Sequence, residues 1–197
     1  MKRVCVFCGS SPGARPEYLK ASRQLGVVLA DRQIGLVYGG GRVGMMGVVA
    51  RAAHEKGGKI IGVIPKSLAE KEVAYTEIGD LKIVHTMHER KALMMELSDG
   101  FIALPGGLGT IEEFFEVLTW AGLGIHKKPC GILNVCRYYE KLLHFLDHVT
   151  KEKFVESDHR SMILIDDDPE ALLKQFENYQ PPKVDKAKWA LGITESF

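Results

Sequence analysis

Short apolar runs, rich in β-branched and aromatic residues, alternate along the chain with longer stretches in which apolar positions recur near helical spacing. The short runs are VCVFC at 4–8, IGLVY at 34–38, KIIGVI at 59–64, FIALP at 101–105, CGILNV at 130–135 and MILID at 162–166. Runs this short and this continuously apolar predict strands buried on both faces. The stretches 16–30, 45–56, 89–98, 110–121, 137–150 and 168–178 predict helices. Strand and helix in strict alternation imply an α/β fold, a Rossmann-like, mostly parallel sheet with helices on both faces. Segment 65–88 reads as a long loop carrying a short strand around 81–84. Residues 1–179 are expected to form one domain, and 180–197, with Pro181 and Pro182, a C-terminal extension.

Sheets of this kind bind ligands beyond the carboxyl ends of their strands, so the residues after each run matter most. Three small-residue loops stand there: CGSSPG at 8–13, YGGGRVGMMG at 38–47 and LPGGLGT at 104–110. Residues 39–44 match G-x-G-x-x-G, but the next strand ends in Ile64, Pro65 and Lys66, without the acid that holds the ribose of a dinucleotide. This loop either offers its N–H groups and the start of the helix near Met45 to an anion, or is a tight turn that packs helix on strand.

The third loop runs into a helix whose apolar stripe is expected to be Ile111, Phe114, Phe115 and Leu118, with Glu112, Glu113, Glu116, Thr119 and an exposed Trp120 on the opposite arc. Gly106, Gly107 and Gly109 leave donors free at that helix start, where a phosphate would settle. Thr110 and Glu113 also have the spacing of a capping box, a local role worth about 0.3–1 kcal/mol per contact. If the loop holds a phosphate, a carboxylate about one turn on faces the sugar, where positive charge develops as a glycosidic bond breaks.

Composition narrows the class of partner. The 26 Lys and Arg balance 25 Asp and Glu, a net charge of +1, which supplies no long-range field for nucleic acid or an anionic membrane. The N-terminal apolar run is too short for a signal-peptide core, and no span approaches the roughly 20 apolar residues of a membrane helix, so a cytoplasmic location is expected. The chain has four cysteines. Cys5 and Cys8 form C-x-x-C, but strand geometry sends them to opposite faces, and Cys130 and Cys136 lack ligand spacing. His144 and His148 stand at i, i+4 without a third ligand. No metal and no cofactor is expected.

Pro105-Gly106-Gly107-Leu108-Gly109-Thr110-Ile111-Glu112-Glu113 matches P-G-G-x-G-T-x-x-E, and Met87-His88-Glu89-Arg90-Lys91 precedes it. With Phe7-Cys8-Gly9-Ser10-Ser11, residues 38–47, Ile61-Gly62-Val63-Ile64-Pro65 and Leu118-Thr119-Trp120-Ala121, these motifs occur in the order of the LOG family, which the chain resembles over 3–178. The resemblance implies hydrolysis of the N-glycosidic bond of a nucleoside 5′-monophosphate, a cytokinin riboside 5′-monophosphate or AMP, to free base and ribose 5-phosphate. It also implies a catalytic pair, Arg90 and Glu113; substrate contacts at Glu72, Lys91, Gly107, Leu108, Gly109, Thr110 and Thr119; and a homodimer. The same family carries a lysine-decarboxylase label, for which the sequence offers no lysine in a pyridoxal-phosphate context. A nucleotide carrier that keeps the phosphate loops but hydrolyses nothing is the alternative, and it would need neither Arg90 nor Glu113.

Overall fold

A computed structural model describes residues 1–69 and 74–182. Its strands are β1 (Arg3–Phe7), β2 (Gly35–Tyr38), β3 (Ile60–Pro65), β4 (Asp80–Val84), β5 (Gly100–Ala103), β6 (Cys130–Leu133) and β7 (Ile163–Asp166). The helices are α1 (Pro16–Asp31), α2 (Gly44–Glu55), α3 (Lys66–Ala69), α4 (Met87–Leu97), α5 (Leu108–Gly122), α6 (Glu140–Lys151), α7 (Ser157–Ser161) and α8 (Pro169–Glu177). The expected strands and helices all form, within a few residues of their sequence bounds. The two four- and five-residue helices α3 and α7 are additions. The expected C-terminal extension lies, from residue 183 on, outside the described residues.

All pairings in the seven-stranded sheet are parallel, in the order β4-β3-β2-β1-β5-β6-β7. From β1 the chain winds outward through β2, β3 and β4, then returns to place β5 on the other side of β1. The loops after β1 and β5 therefore diverge at the topological switch point, where such a sheet opens a crevice. Backbone bonds tie the two strand ends together there: Leu104 N–H donates to Phe7 O at 2.9 Å and Gly9 N–H to Pro105 O at 3.1 Å.

Both faces of the sheet are covered, which accounts for runs that are apolar at every position. In β1, Val4 and Val6 point with Cys8 into the layer under α1, α2 and α8, while Cys5 and Phe7 point into the layer under α4, α5 and α6. The C-x-x-C pair is thus split between two cores. Burial pushes the Cys5 and Cys8 thiols well above their ordinary range, and Cys130 up to about 12, so these three stay protonated and chemically quiet.

His126 is buried between β5 and α5. Its Nδ1 accepts from Lys128 N–H at 3.1 Å, which leaves Nε2–H to donate to Val117 O at 2.8 Å. That neutral tautomer is satisfied, and a second proton would meet the Lys128 donor. Burial first, then the Lys128 charge, lowers its pKa against the opposing pull of the Val117 carbonyl. The unfolded chain therefore takes up this proton at a higher pH than the folded one. The His126 contribution to stability should be complete above about pH 6.5 and decline as the pH falls from there toward the lower folded value. Urea midpoints across pH 5–8 should show this slope, and His126→Gln should flatten it; an unchanged slope in the variant would assign the pH dependence elsewhere.

Candidate active site

The helix after the glycine turn starts earlier than the capping box requires. Gly107 is the N-cap of α5, in extended conformation and without a side-chain cap, and Thr110 is the third helical residue. Thr110 is buried, its side chain packed so closely under Gly106 that a Cβ there would overlap Thr110 Oγ1. A side-chain cap sits on α4 instead: Thr86 Oγ1 accepts from Glu89 N–H at 3.1 Å, and Glu89 Oε2 accepts from the N–H of His85, the residue before the N-cap, at 2.8 Å. The cap fixes the first turn of α4 and with it Arg90, whose backbone N–H donates to Thr86 O at 3.1 Å.

The inward stripe of α5 is rotated from its expected place. Thr110, Phe114, Val117 and Ala121 are buried, whereas Ile111, Phe115 and Leu118 are only half-buried. Residues at i and i+3 share a helix face, so Glu113 sides with Thr110 rather than with solvent, and its side chain is 13% exposed. Trp120, expected in the open, is half-buried. The sequence alone does not set the helix phase here, because apolar residues occupy more than half of its positions.

Arg90 and Glu113 meet across this junction. Arg90 is 5% exposed, and its Nη2 lies 3.8 Å from Glu113 Oε1 and 3.4 Å from Gly39 O. Its Nη1 lies 3.8 Å from Met87 Sδ, and its buried Nε has no hydrogen-bond partner. A buried guanidinium held this loosely keeps donor capacity for a ligand. Gly39 makes room for it: a Cβ there would overlap Arg90 Nη2 and come within 3.1 Å of Met46 Sδ.

Close packing accounts for several glycines of the loop after β2. Gly39, Gly40 and Gly41 are buried, Gly44 presses on Ser10, and Gly47 presses on Arg42 O. The Met45 N–H, at the start of α2, donates to Gly9 O at 3.1 Å. The loop serves the site through Gly39, as the seat of Arg90.

One cleft of about 270 Å³ is lined by Cys8, Gly9, Ser10, Gly39, Met46, Arg90, Glu113 and the turn residues Gly107, Leu108, Gly109 and Thr110. It sits at the switch point between β1 and β5, at the small end of ligand-site volumes. The start of α5 borders it, and an anion is favoured there by the free first-turn N–H groups and the helix dipole. Cβ atoms at Gly107 or Gly109 would meet nothing within 4 Å, so close packing does not account for these two glycines. Ser10, Gly39 and Met46 escaped the residue-level reading. A sequence signal existed for Ser10, in a small-residue loop after the first strand, but its relevance depends on strand order.

The remaining expected contacts lie elsewhere. Lys91 does not line the cleft: its Nζ pairs with Glu112 Oε1 at 2.6 Å and Glu116 Oε1 at 3.0 Å, clamping α4 to α5. These carboxylates, Glu112 first, hold its ammonium above the ordinary lysine range, which disfavours the neutral amine a Schiff base requires. Thr119 borders a separate, more apolar cleft of about 180 Å³ with Phe115, Leu118, Leu123 and Phe154. Glu72 lies outside the described residues. Among the described residues, no group of three or more His, Cys, Asp and Glu is placed to hold a metal ion.

Similarity to known proteins agrees with this geometry. Residues 46–176 match a family model described as "Possible lysine decarboxylase". The chain is 51% identical over 180 residues to a cytokinin riboside 5′-monophosphate phosphoribohydrolase of Arabidopsis thaliana, covering 91% of this chain and 83% of that one. It is 48% identical over 196 residues to the phosphoribohydrolase of the same description from Oryza sativa subsp. japonica, covering 100% of this chain and 81% of that one. Among solved structures, the molybdenum cofactor carrier protein of Chlamydomonas reinhardtii superposes with a TM-score of 0.67 at 20% identity, over 90% of this chain and 98% of that one. The molybdenum cofactor binding protein of Rippkaea orientalis does so with a TM-score of 0.66 at 22% identity, over 90% and 97%. These two likenesses concern the fold alone. With half of its residues shared along almost its whole length, and with Arg90 and Glu113 brought together at the switch point, the chain belongs to the LOG family of phosphoribohydrolases.

Proposed function

We propose that the protein hydrolyses the N-glycosidic bond of a nucleoside 5′-monophosphate, a cytokinin riboside 5′-monophosphate or AMP, with Arg90 and Glu113 as its catalytic pair. The observation that carries these roles is the convergence of a buried guanidinium and a carboxylate, 3.8 Å apart, in the cleft that the glycine turn borders. The phosphate is held by the turn residues Gly107, Leu108, Gly109 and Thr110 at the start of α5. Glu113, six residues into the helix from Gly107, stands about 9 Å further along its axis. A ligand anchored by its phosphate thus extends its sugar toward the carboxylate.

The carboxylate stabilises the oxocarbenium character that develops at C1′ and positions the attacking water. Water oxygen bonds to C1′ as the C1′–N bond breaks. The bond pair leaves on the base, which gains a proton, and the products are free base and ribose 5-phosphate. Arg90 opposes the negative charge on the departing base and stands beside the Glu113 carboxylate. Lys91 acts through its clamp on Glu112 and Glu116, which fixes the spacing of α4 and α5. A carrier would have no use for this pair, so turnover separates the two readings: purified protein given a cytokinin riboside 5′-monophosphate and AMP should release free base and ribose 5-phosphate from at least one, and both bound but intact would favour the carrier.

The proposal includes a homodimer, one domain over residues 1–179, and a cytoplasmic location. The apolar cleft along α5 supports the dimer, since Leu123 and Phe154 are exposed beside it, Phe154 to 81%, and bring Thr119 to a surface a second copy can cover. Light scattering should give twice the chain mass, with Phe154→Asp shifting it toward the monomer; a monomeric wild type contradicts this part. Location is consistent with free cysteines at 5, 8, 130 and 136 and with the absence, among the described residues, of a helix able to cross a membrane. Fractionation of cells expressing the tagged chain would check it.

A further inference from the structure

The turn that meets the phosphate has no side chain of its own with which to hold its shape. Gly106 and Gly107 flank a peptide with no Cβ on either side, so its hydrogen bonds rather than adjoining side chains hold its orientation. Its orientation decides what the ligand meets. In a trans peptide the N–H and C=O point in opposite directions, so one orientation offers the cleft a donor and the other a carbonyl oxygen that repels an anion.

The structure holds each carbonyl of this stretch in turn. Leu104 O accepts from Tyr139 Oη at 2.7 Å, Pro105 O from Gly9 N–H at 3.1 Å, Gly106 O from Tyr138 Oη at 2.7 Å and Gly107 O from Ile111 N–H at 3.1 Å. Two of these donors are adjacent tyrosines. They come from the turn after β6, where Cys136 and Arg137 both adopt left-handed φ, 52° and 59°, a conformation costly for side-chain-bearing residues. Asn134 secures the turn: its Oδ1 accepts from Tyr139 N–H at 2.8 Å, and its N–H donates to Asp166 O at 2.7 Å on β7. The rings of Tyr138 and Tyr139 meet edge to face at 4.8 Å, and Tyr18 closes on Tyr138 at 5.6 Å.

Tyr138 stands in a neighbouring cleft, with Tyr18, Pro105, Gly106 and Gly107, and not in the cleft of Arg90 and Glu113. Its phenol draws the Gly106 carbonyl to its own side. The N–H of the same peptide, which belongs to Gly107, is thereby turned away from Tyr138.

We propose that Tyr138 is a positioning residue that locks the Gly106–Gly107 peptide with its N–H toward the substrate phosphate, so that its hydroxyl sets the preference for a phosphorylated over an unphosphorylated nucleoside. This rests on the phosphate reading of the glycine turn given above. Tyr139, buried and with its phenol pushed to a higher pKa by burial, serves the Leu104 carbonyl as part of the floor, and its loss would disturb the core. Tyr138 is 41% exposed, so Tyr138→Phe removes one hydroxyl while leaving ring packing in place.

The test is calorimetric binding of AMP and of adenosine to the wild type, Tyr138→Phe and Tyr18→Phe, with steady-state turnover of AMP. One hydrogen bond of ordinary net strength sets the scale. Tyr138→Phe should weaken AMP binding and raise KM about three- to tenfold, with adenosine binding and kcat little changed, while Tyr18→Phe resembles the wild type. Unchanged AMP binding in Tyr138→Phe, or equal losses for AMP and adenosine, overturns the assignment. A wild type that binds but hydrolyses neither AMP nor a cytokinin riboside 5′-monophosphate sinks the hydrolase reading alone, and the AMP-to-adenosine ratio still decides Tyr138. A wild type that does not prefer AMP to adenosine overturns both.

Discussion

Glu113→Gln should remove base release while leaving nucleotide binding nearly intact. The amide keeps the shape of the carboxylate, its place beside Arg90 Nη2 and its position in the cleft. It lacks the charge that offsets positive charge at C1′ and the basicity that orients or deprotonates water. A positioned acid or base contributes roughly 10²–10⁴-fold, so kcat should fall by about that factor with KM changed far less. The capping role ascribed to Glu113 on sequence spacing cannot be the reason for any such loss, because α5 is capped at Gly107 and begins before Thr110. Turnover at the wild-type rate in this variant would remove Glu113 from the mechanism.

Arg90→Ala should act on binding and chemistry together. The guanidinium is buried against Gly39 O and Glu113, and its removal leaves a largely buried carboxylate without this counter-charge. Loss of one member of a buried pair destabilises by about 3 kcal/mol, and loss of one charge-stabilising donor lowers kcat by about 10²–10³. KM should rise as well, since the same group contacts the bound nucleotide. Gly39→Ala should reproduce part of this from the other side: its Cβ displaces Arg90 Nη2 without touching the charge. Thermal melts separate the two effects, with Arg90→Ala lowering Tm and Gly39→Ala lowering turnover more than Tm. Full activity in both variants would exclude the guanidinium from the reaction.

Sequence periodicity yields the class of fold because a parallel sheet covered on both faces needs continuous apolar strands separated by crossover helices, and that pattern survives small errors in element bounds. It does not yield the order of strands. The placement of β5 beside β1, which brings the loop at 8–10 against the turn at 106–110, depends on where the chain reverses, and no local signal in 65–99 marks that reversal. The phase of α5 was equally hidden. Phe114, Phe115 and Leu118 allow more than one inward face, and only the packing of Thr110 beneath Gly106 selects the one that turns Glu113 into the cleft.

Spacing also left open two roles that contact geometry distinguishes. The side-chain cap belongs to Thr86, which with Glu89 sets the first turn bearing Arg90, and the glycines of residues 39–44, which match a nucleotide fingerprint, are closely packed. Lys91, adjacent to Arg90 in sequence, faces α5 through Glu112 and Glu116, because neighbours on a helix diverge by about 100°. The tyrosine donors at 138 and 139 gave no sequence signal, since their function depends on a left-handed turn at Cys136 and Arg137 that side-chain-bearing residues rarely adopt.

The most direct measurement is the product balance from AMP and from an N6-isopentenyl adenosine monophosphate, followed for the wild type and Glu113→Gln under one condition. The wild type should release free base and ribose 5-phosphate in equal amounts and no inorganic phosphate, and Glu113→Gln should bind both nucleotides but leave them intact. Release of inorganic phosphate with the glycosidic bond retained, or nucleotides bound and unchanged by the wild type, would contradict this.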